Sequence, residues 1–467
     1  MHICIIGNGF AGLLACLSMS TNQYVKKITL IGSPTIPSIG VGESTTVGMN
    51  RILKKIGISD EEFIRNTDAS IKYGVYYKNW SKRDYIHYIK SHQPWNRQNI
   101  SAEAYAKLLA NKPKNVHIHD LIGKNLFCQA NKNNVLLDKN EYPHTWHFDA
   151  SKGIEFLKSI IEKNNIVELI HSNVVECTFQ KNDLIKSITL DNGSKIAADY
   201  YINATGNWEF NSKVFKTEYE SLSNILLTNK AIFAPIEYSN KRKQFHPYTV
   251  AKTMKNGWRW ITPIWSRIGS GYVFSTNYIT EDQAIDEFLE DVGDKSIEPR
   301  VVNFAPKYNK KTFRTNSCSI GMANGFLEPL DAPGIAIISV ILDELNYMLE
   351  AIQNKSNLNQ KIDIYNQFIT SQYMWWASFI FCQYKTCFRD DTNFWKDCKN
   401  LKFEFYEKII ESIDDFNCSP RESMMICQTI SSKDIQWKTS LTELPFPISE
   451  NFCETISHLD YINHIRN

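Results

Sequence analysis

At 467 residues and a formal net charge of +2, the chain has length for two or three domains, or for one large two-lobed enzyme. Its charge balance argues against nucleic acid or an anionic membrane as a main partner. The longest apolar runs, 335–342 and 373–384, are too short to span a bilayer, and a strand expected from residue 2 leaves no room for a secretory leader. The eleven cysteines include no C-x-x-C pair, which predicts reduced, buried thiols with no metal site in a cytoplasmic protein.

In chain order, His2-Ile3-Cys4-Ile5-Ile6 predicts a strand and residues 13–19 a helix. Between them stands Gly7-Asn8-Gly9-Phe10-Ala11-Gly12, in the strand, G-x-G-x-x-G, helix order of a dinucleotide-binding turn. Gly7 allows the tight turn, Gly9 the approach of a pyrophosphate, and Gly12 close packing of helix on strand. The helix N-terminus offers free N–H groups to phosphates. A second strand over 27–31 completes the unit. About 20 residues past the last glycine an acidic side chain usually holds the ribose. Here Gly32 stands there, so the Ser33 hydroxyl or a backbone group is the expected substitute.

Residues 34–43, with two prolines and two glycines, predict a shaped loop. Residues 45–66 predict a helix with Met49, Ile52, Leu53 and Ile56 on one face. Residues 69–80 return to β character, and 81–145 read as an irregular, aromatic-rich insertion covering a pocket. His147-Phe148-Asp149-Ala150 precedes a helix to about residue 163, and strands follow over 166–179 and 184–190, then an Asp191-Asn192-Gly193 turn. The strand 200–206 ends in Ala204-Thr205-Gly206 and resembles the element that returns to the flavin in glutathione-reductase-type flavoproteins. Residues 225–280 are strand-rich, 282–292 predict a helix, and the loop 325–334 leads into an apolar helix from Ile335. Beyond 360 the chain reads as mostly helical.

Five segments in this order resemble the flavin-dependent halogenases of the tryptophan-halogenase family. They are the glycine turn; Gly40-Val41-Gly42-Glu43; the strand carrying Lys72 and ending in Asn79-Trp80; Gly257-Trp258-Arg259-Trp260-Ile261-Thr262-Pro263; and Phe326-Leu327-Glu328-Pro329-Leu330. The resemblance implies an α/β fold. A glutathione-reductase-like, Rossmann-type FAD-binding domain would be built from 1–80, 147–215 and 312–350. A substrate-binding part with a β-sheet would come from 81–146 and 216–311, and a mainly helical C-terminal part from 351–467. It implies reduced FAD as cofactor, which with oxygen converts chloride, bromide or iodide to hypohalous acid. With no second glycine turn for a nicotinamide cofactor, reduced FAD is expected by diffusion from a separate flavin reductase. The oligomeric state stays open.

Carried over residue by residue, the resemblance makes Lys72 the group that activates hypohalous acid, by hydrogen bonding or as a haloamine, for attack by an electron-rich aromatic ring. Lys78, six residues on, would share its strand face. On the bare sequence alone Lys72 reads as a solvated lysine at a strand edge, as most lysines are; the resemblance reverses that reading. Asp331 stands where the family has a glutamate; its side chain is one carbon shorter, about 1.5 Å of reach. Trp258 and Trp260 are expected to wall the flavin from the substrate. Gly7, Gly9, Ala11, Gly12, Ser33, Gly40, Val41, Gly42, Glu43, Gly206 and Leu330 complete the expected cofactor set. The halide loop departs most: Ala332-Pro333-Gly334 replaces the usual Ser-Thr-Gly, and Pro333 has no N–H to give. Bromide or iodide is therefore expected over chloride, with Pro333 and Gly334 at the halide. The substrate, an indole or phenol type, is not fixed. An aromatic hydroxylase of the same superfamily and a non-catalytic FAD-binding protein are the alternatives.

Overall fold

The computed structural model describes residues 1–35, 43–81, 84–88, 126–129, 144–354, 357–411 and 454–466. β1 (His2–Ile6), α1 (Phe10–Ser20) and β2 (Lys27–Gly32) follow the expected order. β1 runs parallel to β2 on one side and to Tyr200–Asn203 on the other, with Ile3 opposite Ile28 and Tyr200. Val167–His171 and Ser317–Ser319 extend this parallel sheet, and the short Phe313–Arg314 closes one edge antiparallel. Both faces are covered, as a parallel sheet requires. Leu13, Leu14 and Leu17 of α1 join the core on one face. Cys4, Ile6 and Ile31 pack on the other with Val174, Ile188 and Leu190 of a small antiparallel sheet.

Two expected elements divide. The helix over 45–66 is α2 (Val47–Lys55) and α3 (Asp60–Thr67). Gly57 turns the chain at φ +81°, and the Ser59 hydroxyl starts α3 by accepting from the Glu62 N–H. The strand over 166–179 breaks at Ser172-Asn173, where Asp191 takes the Ser172 hydroxyl and the Asn173 N–H.

The stretch 69–80 feeds two sheets. β3 (Ser70–Lys72) pairs antiparallel with β5 (Thr145–Phe148), which also holds Glu43–Ser44. β4 (Gly74–Lys78) joins a seven-stranded sheet next to β6 (Thr249–Met254), followed by β7 (Gly257–Pro263) and β8 (Ile268–Phe274). The chain changes sheets at Tyr73, whose N–H donates to the Pro247 carbonyl. Lys72 and Lys78 therefore do not share a face: Lys72 is 1% exposed, whereas Lys78 faces solvent.

Downstream lie α4 (Pro333–Gln353), α5 (Leu358–Thr386) and, at the C-terminal end, α6 (His458–Arg466). The C-terminal part is not all helix, since Glu454–Ser457 pairs with Leu126–Gln129. Among the described residues no helix is long and apolar enough to cross a membrane.

Candidate active site

The glycine turn meets the demands of a dinucleotide. Gly7 sits at φ +110°, and a Cβ there would stand 2.5 Å from the Ala204 carbonyl oxygen. A Cβ on Gly12 would stand 1.9 Å from the Gly7 oxygen, so helix and strand touch backbone to backbone. Gly9 is different: a Cβ there meets nothing within 4 Å, nor does one at Gly206 or Gly334. Protein packing does not require glycine at these three positions, but a ligand lying against them would. Gly9 is also the N-cap of α1, which has neither a side-chain cap nor an acidic residue in its first turn, leaving its N–H groups for an anion. The cradle fits FAD.

Gly12→Ala should weaken FAD binding about tenfold, since overpacking of this kind costs about 1–3 kcal/mol. Gly9→Ala should weaken it at unchanged melting temperature. Fluorescence titration beside a thermal melt checks both.

The missing acidic residue has a steric cause. A Cβ on Gly32 would lie 2.1 Å from the Asn8 amide nitrogen, because the Asn8 side chain, second in the glycine turn, folds over that spot. The Ser33 hydroxyl donates to Asn173 at 2.7 Å. Ala11 packs under Gly321, whose Cβ would stand 2.7 Å from that of Ala11. Gly40, Val41 and Gly42 lie outside the described residues, as does the side chain of Glu43.

The second cluster centres on Lys72. Its Nζ donates to the Thr45 carbonyl at 3.0 Å. Thr145, opposite Lys72 in the strand register, hydrogen-bonds the Thr45 hydroxyl and donates to the Thr46 carbonyl at 3.2 Å. Burial lowers the Lys72 pKa to about 8, and nearby Asp331 works in the opposite direction, favouring the ammonium. Asp331 itself accepts from the Tyr77 hydroxyl at 2.5 Å. His147, on the same strand face as Thr145, is clamped between Ser70 at 3.2 Å and Thr249 at 2.8 Å. Its pKa is pushed well down by burial, then by Lys72 and its histidine neighbours.

Asp331 and Ala332 both hold positive φ, 64° and 59°. Two successive non-glycine residues in the left-handed region are uncommon and costly. The Tyr77 bond and the Ala332 N–H donated to Pro329 at 3.0 Å keep them there. The turn delivers Pro333 to the first position of α4, where a proline is at ease. Gly334 and Ile335 follow with N–H groups that have no acceptor within the helix. Pro333 supplies none and the Ala332 N–H is spent on Pro329, so this helix end offers one donor fewer than a threonine at 333 would give it.

Trp258 and Trp260 stand on one face of β7, their rings 6.2 Å apart, with Trp260 lying against Gly271. Trp258 donates from Nε1 to Glu328 at 3.1 Å. Glu328, fully buried, also accepts from Thr228 at 2.6 Å and Tyr384 at 3.0 Å. Burial raises its pKa to about 7 against these three donors. Leu330 is fully buried in the core, two residues beyond Glu328. Glu328 thus ties the tryptophan strand to the loop that carries Asp331 and Pro333. Its part in the quoted motif was plain in the sequence, its role was not, because Thr228 and Tyr384 are distant in the chain. Glu328→Leu leaves the Trp258 N–H without an acceptor and should cost about 1–3 kcal/mol, measured by denaturant unfolding with Trp258 fluorescence shifted.

Comparison with known proteins shows the family. The tryptophan halogenase family model matches residues 2–439. The chain belongs to the tryptophan halogenase family. It is thereby an enzyme of the flavin-dependent halogenase class, which halogenates aromatic substrates with FAD. The tryptophan 6-halogenase ThaL of Streptomyces albogriseolus is 27% identical over 422 residues, covering 86% of this chain and 79% of its own. In fold, the chain superposes on a tryptophan halogenase from Shewanella frigidimarina with a TM-score of 0.81 at 21% identity, covering 100% of this chain and 93% of the other. BrvH, a flavin-dependent halogenase from Brevundimonas, gives a TM-score of 0.79 at 21% identity, covering 100% and 99%.

Proposed function

We propose that this tryptophan halogenase family member halogenates an electron-rich aromatic, an indole or phenol, with Lys72 as the acid that activates hypohalous acid and Asp331 as the base. The reading is carried by one observation: a lysine 1% exposed, donating to a carbonyl and within electrostatic reach of the Asp331 carboxylate. With a pKa of about 8, it is an ammonium at neutral pH, which favours the hydrogen-bonding route over a haloamine. Bound reduced FAD, from a separate reductase, supplies hypohalous acid when oxygen and halide are present. Gly7, Gly9, Ala11, Gly12 and Gly206 would hold it, with Ser33, Glu43 and the Gly40-Val41-Gly42 loop completing the set.

The ammonium donates its proton to the oxygen of hypohalous acid. The ring's electron pair takes the halogen, the oxygen–halogen bond breaks, and water leaves. The Asp331 carboxylate takes the proton from the ring carbon. Ring plus hypohalous acid gives halogenated ring plus water, and a proton returned from Asp331 to Lys72 closes the cycle. In a dry pocket a fixed ammonium polarises a neutral oxidant far more than water does. Trp258 and Trp260 argue against a flavin hydroxylase, whose substrate must reach the flavin.

The test supplies a flavin reductase, NADH, FAD and oxygen with each halide over a panel of indoles and phenols, read by mass spectrometry. Halogenated product supports the reading. Hydroxylated product moves it to the hydroxylase, and peroxide alone to a non-catalytic flavoprotein.

A further inference from the structure

Among the described residues β3 has a partner strand on one edge only. On the other edge the Ile71 N–H, next to Lys72, donates to Nε2 of His458 at 3.0 Å. The imidazole comes from a residue 387 positions along the chain. Its other nitrogen, Nδ1, meets the Phe245 carbonyl at 3.2 Å, and its ring stacks on Phe245 at 4.4 Å with planes 10° apart. A ring that accepts at Nε2 and faces a carbonyl at Nδ1 must be neutral with the proton on Nδ1. His458 is fully buried.

The helix behind it is clasped from several sides. Arg466 donates to the Ile64 carbonyl at 3.1 Å, lies 3.5 Å from Asp68, and sits over the Trp265 ring. Arg65 donates to the Ile465 carbonyl at 2.5 Å, and Ile462 and Ile465 are buried. These contacts fix where His458 stands and so fix the backbone of β3.

We infer that His458 is a positioning residue for Lys72: its imidazole gives β3 an acceptor on the edge away from β5, and through Ile71 it sets where the ammonium points. This rests on the reading of Lys72 as the activating group. A lysine displaced within the pocket would no longer meet the oxidant and the ring together, and a misplacement near 1 Å can cost about a hundredfold in rate. Hypohalous acid, formed elsewhere in the enzyme, would still appear and escape.

The experiment uses the full chain with reductase, NADH, FAD, oxygen and bromide. It compares ring bromination of the best substrate in the panel with hypobromous acid caught by a soluble β-diketone trap. His458→Phe keeps the stacking on Phe245 but gives Ile71 no acceptor. His458→Gln gives an acceptor and a donor at similar reach. The expected result is a fall of about tenfold or more in the ratio of ring product to trapped oxidant for His458→Phe. FAD affinity should stay close to that of the parent, the melting temperature should fall in His458→Phe because the buried Ile71 N–H loses its acceptor, and His458→Gln should restore more than half of the ratio. An unchanged ratio in His458→Phe, or an equal fall in both variants, overturns the inference.

Should His458→Phe fail to fold, His458→Ala with added imidazole replaces it. Recovery of the ratio with imidazole supports the inference; no recovery, or failure of this variant to fold, overturns it. Lys72→Ala runs in parallel. If it still brominates the ring, the reading of Lys72 has failed. If it does not and His458→Phe is fully active, only the role of His458 has failed.

Discussion

Lys72→Ala is expected to lower ring halogenation about a hundred- to a thousandfold, the usual cost of removing a fixed electrostatic donor. FAD affinity and the appearance of hypohalous acid should be untouched. The pH dependence then separates the two routes open to the lysine. Burial sets its pKa near 8, with Asp331 pulling the other way. If the ammonium donates a hydrogen bond, activity falls as pH rises through about 8; if the neutral amine forms a haloamine, activity rises over the same range. We expect the fall. Asp331→Asn removes the group that favours the charge, so whatever activity remains should lose its alkaline limb at lower pH. Rate profiles from pH 6 to 10 decide this, and a limb that does not move in Asp331→Asn removes Asp331 from the neighbourhood of the lysine's charge.

The same lysine should cost the fold stability. Its folded pKa, about 8, lies below the ordinary 10.5, so between those values the unfolded chain binds more protons and stability rises with pH. Below about 8 the full penalty applies, on the order of 3 kcal/mol. Lys72→Met should therefore unfold at higher denaturant at pH 7 while losing ring halogenation, as expected where a functional group is held against its preference. A destabilised Lys72→Met would mean that the Thr45 bond outweighs the burial of charge.

What could be read in the sequence divides along a physical line. The cofactor turn is legible because its constraints are local: Gly7, Gly9 and Gly12 act within one strand–turn–helix. The sheet order that brings Tyr200–Asn203 beside β1 follows from a second strand ending in glycine. Lys72 was legible only by resemblance. Its surroundings, the Thr45 carbonyl, Thr145 and the Asp331 charge, are all distant in sequence, and a three-residue strand has no periodicity to show. The Lys78 spacing misled because the chain leaves one sheet and enters another at Tyr73. Gly57 was visible, but the apolar face of residues 49–56 outweighed it. Gly32 looked like a defect in the motif until Asn8 was seen to fill the space above it. His458 could not be found at all: its partners are backbone groups of Ile71 and Phe245, and backbone groups carry no sequence mark.

We propose that the turn leading into α4 holds the halide and that Pro333 sets the halide preference. An anion there would be held by backbone N–H groups and the helix dipole. Here Ala332 gives its N–H to Pro329, Pro333 has none, and donation begins at Gly334. Hydrogen bonds to a charged group are worth about 1.5–3 kcal/mol. Chloride, the smallest of the three halides considered, loses most on leaving water and most needs those donors. The expected order for kcat/KM is therefore iodide or bromide above chloride. Pro333→Thr restores an N–H at small cost to the helix, about 0.4–1 kcal/mol; it should raise kcat/KM for chloride about tenfold or more and for bromide by less, so that the ratio moves toward chloride. Steady-state rates with each halide, in parent and variant, measure both. A parent enzyme that prefers chloride would show that Gly334 and Ile335 suffice. A variant with an unchanged ratio would show that the position of the halide is set elsewhere than at residue 333.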